Sequence, residues 1–294
     1  MSFHIITDSA SDLPETIISK YNAYVMPTPV MVDKTDYLDG LTIHPDEFYA
    51  KQAANSEIST YHISQFMFEE HFRKFAKNKD EVLYICFSTG IAGTFNAARL
   101  AYQTILEEYP DFKLTIIDSK CASLGYGLVV SKLLNMQANG APKELITEAA
   151  NFFCSHMKHF FTVNSLEYLY KGGRISRTSA AMGSILNINP IITVNAAGSL
   201  QSIERVRGWD RTKKRLIELT KEVGNSLDKQ TIGVCYGTSE NEAGKVVNML
   251  KDAISPKEVL MGRVGCAIGA HTGPSIIGIV FPDAFDNRFE SYIK

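Results

Sequence analysis

The feature that most constrains this chain is an alternation of two periodicities. Short apolar runs, "FHIITD" at 3–8, "EVLYICFS" at 81–88 and "KLTIIDS" at 113–119, read as buried strands. Between and beside them lie amphipathic helical stretches: "DEFYAKQAAN" at 46–55, "SQFMFEEHFRKFAKN" at 64–78 and "GTFNAARLAYQTILEEYP" at 93–110, the last stopped by Pro110. Strands joined through helices lie parallel, because a hairpin is too short to bring the chain back to the same end of a sheet. The class is therefore α/β, with a mostly parallel N-terminal sheet flanked by helices. "YVMPTPVMVD" at 24–33 reads as one extended segment, its two prolines marking an edge or a bend. Asp12 and Glu15 have capping-box spacing, which predicts Asp12 as the cap of the helix through "IISKY".

Two more helical stretches carry the chain to about Lys158, and a domain boundary is expected near 158–162. Beyond it come "FFTV" at 160–163, a helix through "SLEYLYKGG" at 165–173, and two strands, "NPIITV" and "LQSIERV", around a tight turn. A helix from about Arg211 to Val223, then "TIGVCYG", "AGKVVNMLKDAI", "EVLMGRV" and "SIIGIVF", complete a second α/β unit. A length of 294 residues suits two domains, 1–160 and 161–294, with a ligand cleft between them.

Charge excludes some functions. The net charge is −2 with both signs interspersed, so nothing points to nucleic acid. The opening "MSFHIITDSASDL" lacks the layout of a signal peptide, and no run of 18 apolar residues exists to cross a bilayer. A cytoplasmic location is expected. The five cysteines form no CxxC pair, and several stand in strand-like runs, so they read as reduced, buried thiols.

The strongest local motif is "CFSTGIAGTFNAAR" at 86–99, a strand running through Ser88, Thr89 and Thr94 into a helix. Hydroxyls and free helix amides at the carboxyl end of a parallel strand suit an anion. The alternative is a plain turn in which Ser88 or Thr94 caps the helix. "GYGLVV" at 125–130 lacks the third glycine of a dinucleotide fingerprint, and no P-loop or GxSxG occurs. "CSHMKH" could offer Cys154, His156 and His159 to a metal, but reads more simply as a polar helix end. Asp8 and Asp12 in "TDSASDL" could form a metal or catalytic pair; Asp12 reads more simply as a helix cap, and Asp8, at a strand's carboxyl end, stays open. Arg174, Arg177 and Arg207 suit either a phosphate or acidic partner, or an ordinary surface. His271, in "GAHTGPSIIG", lies between glycines that favour a loop, from which an imidazole titrating near pH 7 could bind an anion. A satisfied core histidine is the alternative.

Taken together, "TDSASDL" at 7–13, "FSTGIAGTFNAA" at 87–98, "TIIDS" at 115–119, "GGRIS" at 172–176, "LNINPII" at 186–192, "VRGWDRTKKRL" at 206–216 and "GAHTGPSIIG" at 269–278 resemble, in order and over nearly the whole chain, the DegV family. That family is similar to the lipid-binding subunits of bacterial fatty-acid kinase. The resemblance implies one fatty acid held between two α/β domains and presented to a separate ATP-binding kinase subunit. It implies a carboxylate site at Thr60, Ser88, Thr89 and His271, with Thr94, Arg174 and Arg207 secondary or facing the partner. It implies no cofactor and no catalysis by this chain, and it leaves transient membrane contact open. Three positions depart from the family pattern: Tyr61 and His62 replace Gln-Pro, Ala92 replaces a serine, and Asn189 replaces a lysine.

The energetics agree. Each buried methylene contributes about 0.8 kcal/mol, so a chain of ~16 carbons offers on the order of 10 kcal/mol before ordering costs. A carboxylate leaving water needs compensating hydrogen bonds. The rivals are an enzyme on a small phosphorylated or carboxylated metabolite with His271 as acid–base, and a lipid sensor or carrier without a kinase.

Overall fold

Two sheets with a helical layer between them carry the fold. The computed structural model describes residues 2–176 and 187–294. Arg177 and the apolar stretch that follows it lie outside the described residues.

The first sheet contains β1 (Phe3–Asp8), β2 (Tyr24–Met26), β6 (Glu81–Cys86) and β7 (Lys113–Asp118), in the order β2-β1-β6-β7 with every pair parallel. Period-two alternation divides its side chains between two cores. Ile6, Val82 and Tyr84 face outward onto α3 (Gln65–Lys77) and α4 (Thr94–Glu108), while Ile5, Leu83 and Ile85 face inward. Phe68, Phe72 and Phe75 supply the apolar stripe of α3, and Ser64 caps it by accepting the Met67 N–H at 3.3 Å.

The second sheet is mixed. It contains β8 (Met157–Thr162), β9 (Ile188–Val194), β10 (Leu200–Arg207), β11 (Thr231–Tyr236), β12 (Glu258–Arg263) and β13 (Ile277–Pro282). The order is β10-β9-β8-β13-β11-β12, and only β11 and β12 pair in parallel. Its outer face packs Phe160, Ile191, Val234 and Ile279 against α8 (Trp209–Val223) and α9 (Glu240–Ile254).

Between the sheets runs α5 (Leu124–Ala138), touching β1 and β6 on one side and β8, β11 and β13 on the other. It is apolar nearly all round, as a helix covered on both faces must be. A second helix, α6 (Lys143–His156), packs beside it. A small antiparallel sheet, β4-β3-β5, stands apart: β3 (Pro29–Val32), β4 (Thr35–Leu38) and β5 (Ile58–Thr60). With α2 (Pro45–Ala53) it receives α10 (Cys266–Thr272). Among the described residues, α1 (Glu15–Tyr21), α7 (Glu167–Lys171) and α11 (Asn287–Glu290) are further short α-helices.

The structure corrects several local expectations. "YVMPTPVMVD" is two strands in different sheets, β2 and β3, separated at Pro27, which has no N–H to donate. Asp12 does not cap the helix through "IISKY". Its backbone is left-handed (φ 48°), α1 begins after Pro14, and the carboxylate instead accepts from the Gly265 N–H at 2.8 Å and from the Ser123 hydroxyl. A division of the chain at residue 160 falls inside β8. Cys154, His156 and His159 do not gather around a metal: His156 pairs with Asp283 at 2.8 Å, and no metal-binding group occurs among the described residues. All five cysteines are buried and free, and burial raises their thiol pKa values.

Candidate ligand cavity

An apolar cavity lies in the layer between the sheets. It encloses about 910 Å³ of unfilled space, including the part open to solvent. Phe87, Ile91, Phe161, Leu169, Ile276 and Val280 are among its walls. Both sheets contribute, so the cavity exists only once they are stacked.

One group of its polar residues lies where the small sheet meets α10. Thr60, at the end of β5, lies 2.7 Å through Oγ1 from His271 Nε2, and both residues line the cavity with His62, Thr94 and Arg174. His271 is therefore in a helix rather than the loop its glycine neighbours suggested. The helix forms because two buried carboxylates hold its N-terminus. Asp39 accepts the N–H groups of Cys266 and Ala267 at 2.9 and 3.2 Å, and Asp12 accepts that of Gly265. Burial raises the pKa of both carboxyls, and the amide hydrogen bonds oppose that rise.

His271 does not titrate near neutrality. Burial, with the Arg174 guanidinium nearby, pushes its pKa down to about 4, so the imidazole is neutral at physiological pH. Its Nδ1 packs against Gly172 and has no hydrogen-bond partner among the described residues. A Cβ on residue 172 would sit 2.1 Å from that nitrogen, so only glycine fits there. If Nε2 carries the ring proton, it donates to Thr60 Oγ1. The threonine O–H is then free to donate to a ligand oxygen. Arg174 is half-buried and donates to the Gly172 carbonyl.

Further donors come from the start of α4. Its N-cap is Gly93 with no side-chain cap, and Ala92 and Thr94 line the cavity there. The uncapped first-turn amides and the helix dipole favour an anion.

Ser88 and Thr89 depart from expectation, since neither lines the cavity. The Ser88 hydroxyl is fully buried and donates to the Gly198 carbonyl at 2.8 Å, tying the end of β6 to the β9–β10 turn. Thr89 donates to Asp118 at 2.5 Å and accepts from Lys120 Nζ at 2.7 Å. Arg207 also stands elsewhere, exposed at the end of β10, where it lines a shallow surface groove with Trp209 and Arg211. Of the two arginines expected to be secondary or to face a partner, Arg174 lines the cavity and Arg207 does not. Asp8 lines the cavity wall, buried, with both oxygens engaged by the Tyr84 and Tyr126 hydroxyls at 2.7 and 2.6 Å.

Sequence reasoning passed over Asp39 and the cavity-facing role of His159. Asp39 sits in "YLDGLT", an ordinary turn sequence, and the two helix amides it accepts from are more than 220 residues away. Nothing local could have marked it.

The chain matches, over residues 2–283, the family model described as "Uncharacterised protein, DegV family". It is 33% identical over 282 residues to a DegV domain-containing protein of Clostridium perfringens, covering 95% of this chain and 97% of that one. A DegV domain-containing protein of Caldanaerobacter subterraneus is 31% identical over 279 residues, with 95% and 98% covered. Among solved structures, the chain is similar to a stearic acid-binding protein from Eubacterium ventriosum, with a TM-score of 0.88, 26% identity and coverage of 98% and 99%. It is also similar to a fatty-acid-binding DegV family protein from Thermus thermophilus, with a TM-score of 0.86, 25% identity and coverage of 97% and 100%.

Proposed function

Because this chain belongs to the DegV family, we propose that its cavity holds one long-chain fatty acid and that the protein presents the carboxylate to an ATP-bound kinase subunit. The observation that carries this is the pairing of an apolar cavity between the sheets with the Thr60–His271 hydrogen bond in its wall. The apolar walls take the methylenes, whose burial supplies the affinity. Thr60, Thr94, the first amides of α4 and Arg174 supply donors to the carboxylate, which must recover the hydrogen bonds it loses with water. On this proposal Ser88 and Thr89 hold the neighbouring turns together and do not touch the ligand.

The two sheet-bearing units act as the two domains that clasp the ligand, and the protein works in the cytoplasm as a binding subunit without catalysis of its own. An enzyme with His271 as acid–base has less support. An imidazole with a pKa of about 4 is a weak base at neutral pH, and His271 is already engaged with Thr60.

Native mass spectrometry of the purified protein is the test. Roughly stoichiometric long-chain fatty acid, retained from the host or taken up from added stearic or oleic acid, is expected. Only the bare chain mass after that addition would reject fatty-acid binding, and a retained polar metabolite would favour the enzyme.

A further inference from the structure

The wall formed by β8 and the start of α5 contains one polar group that the fatty-acid proposal leaves unused. His159 lines the cavity beside Ala122, Phe161 and Val280, and is only 4% exposed. Its Nε2 accepts the Ala122 N–H at 3.4 Å. That nitrogen is therefore the bare one, and in the neutral ring the proton sits on Nδ1. Burial pushes the imidazole pKa down to about 4, which keeps the ring neutral. Nδ1 has no hydrogen-bond partner among the described residues.

The sequence makes room for this ring. A Cβ on residue 125 would lie 1.8 Å from His159 Nε2, so the imidazole occupies space that only a glycine leaves free. Other polar groups on the same lining are engaged. Asp8 accepts from two tyrosines, Ser123 donates to Asp12, and Thr272 donates to the Ile268 carbonyl at 3.2 Å. A buried N–H with no acceptor is costly, and an acceptor brought by a ligand removes that cost.

We propose that His159 Nδ1–H is a second recognition point, selecting an acyl chain that carries an oxygen acceptor part-way along its length. An oxo group suits it best, because a ketone oxygen needs only a donor. A hydroxyl also fits, but brings a proton that needs an acceptor of its own. This rests on the fatty-acid proposal and deepens it, by adding a polar point inside the cavity to the one that meets the carboxylate.

The experiment is competition binding of stearic acid against a positional series of oxo-octadecanoic acids, on the wild type and on His159→Phe. In the wild type, one position is expected to bind about 10-fold tighter than its neighbours and at least as tightly as stearic acid, the scale of one neutral hydrogen bond. In His159→Phe that maximum disappears, and the affinity ratio of that isomer to stearic acid falls about 10-fold. Imidazole NMR on the wild type supplies a readout independent of the variant's folding. The Nδ1 proton should shift downfield with the preferred oxo acid and stay in place with stearic acid. If stearic acid binds but no position stands out and the imidazole signal does not distinguish the ligands, His159 is a wall residue only and this inference is wrong. If stearic acid itself fails to bind, the fatty-acid proposal falls and this inference falls with it.

Discussion

A single hydrogen bond, Thr60 Oγ1 to His271 Nε2, sets what the polar end of the cavity can do. A donor to a charged ligand contributes roughly 1.5–3 kcal/mol, against about 1 for a donor to a neutral one. Thr60→Val and His271→Phe should therefore weaken stearic acid binding on the order of 10- to 100-fold, and hardly change binding of the matching long-chain alcohol. Equal losses for acid and alcohol, by titration calorimetry, would mean the pair supports packing only. The sign of the pH effect follows from the low imidazole pKa. A histidine charged near neutrality would lose its hold on the carboxylate as pH rises through its pKa. With that value at about 4, the imidazole stays neutral, and the wild type should show no loss of affinity between about pH 6 and 8.5. A fall of affinity across that range that His271→Phe abolishes would show a charged imidazole instead.

At the scale of the element, α10 matters most. It is a helix of seven residues, too short to be stable alone. Asp39 supplies what it lacks by accepting two of its first N–H groups, with Asp12 accepting a third just before it. Asp39→Ala leaves two buried amides without acceptors and should cost about 1–3 kcal/mol, measured by denaturant unfolding. Because α10 carries His271, fatty-acid affinity should fall in the same variant, although residue 39 is absent from the cavity lining. Asp39→Asn keeps one acceptor oxygen and should recover part of both losses. Wild-type stability and affinity in Asp39→Ala would mean that the contacts of α10 with α2 and the small sheet hold it unaided.

Across the whole molecule, the cavity and the outer surface separate two arginines that look alike in the sequence. Arg174 lines the cavity, whereas Arg207 is exposed at the end of β10 and shares no lining residue with it. Arg207→Ala should leave fatty-acid binding intact and lower phosphorylation of the bound acid by a kinase partner, whereas Arg174→Ala should weaken binding itself. Paired binding and phosphorylation assays check this. A loss of binding in Arg207→Ala with the fold intact would place that residue with the ligand rather than the partner.

What the sequence determined by itself is what local periodicity encodes. The alternation of apolar runs and amphipathic helices specified the parallel first sheet, the helices on its outer face, the β9–β10 hairpin and the buried thiols, because each depends on neighbours a few residues away. Ordered motifs along the chain also marked the family. The site was legible only in part. Thr60, Thr94, Arg174 and His271 do meet at one cavity, yet Ser88 and Thr89 turn away from it. The turn at Gly198 and the strand end at Asp118 offer their hydroxyls nearer partners. His271 joined a helix because Asp12 and Asp39 reach it across 253 and 227 residues, and His159 became a cavity wall because Gly125 leaves its ring room. Tertiary structure alone decided these points. A side chain's partner is chosen by which groups burial brings within hydrogen-bond reach, and for groups hundreds of residues apart that choice is made only when the layers close.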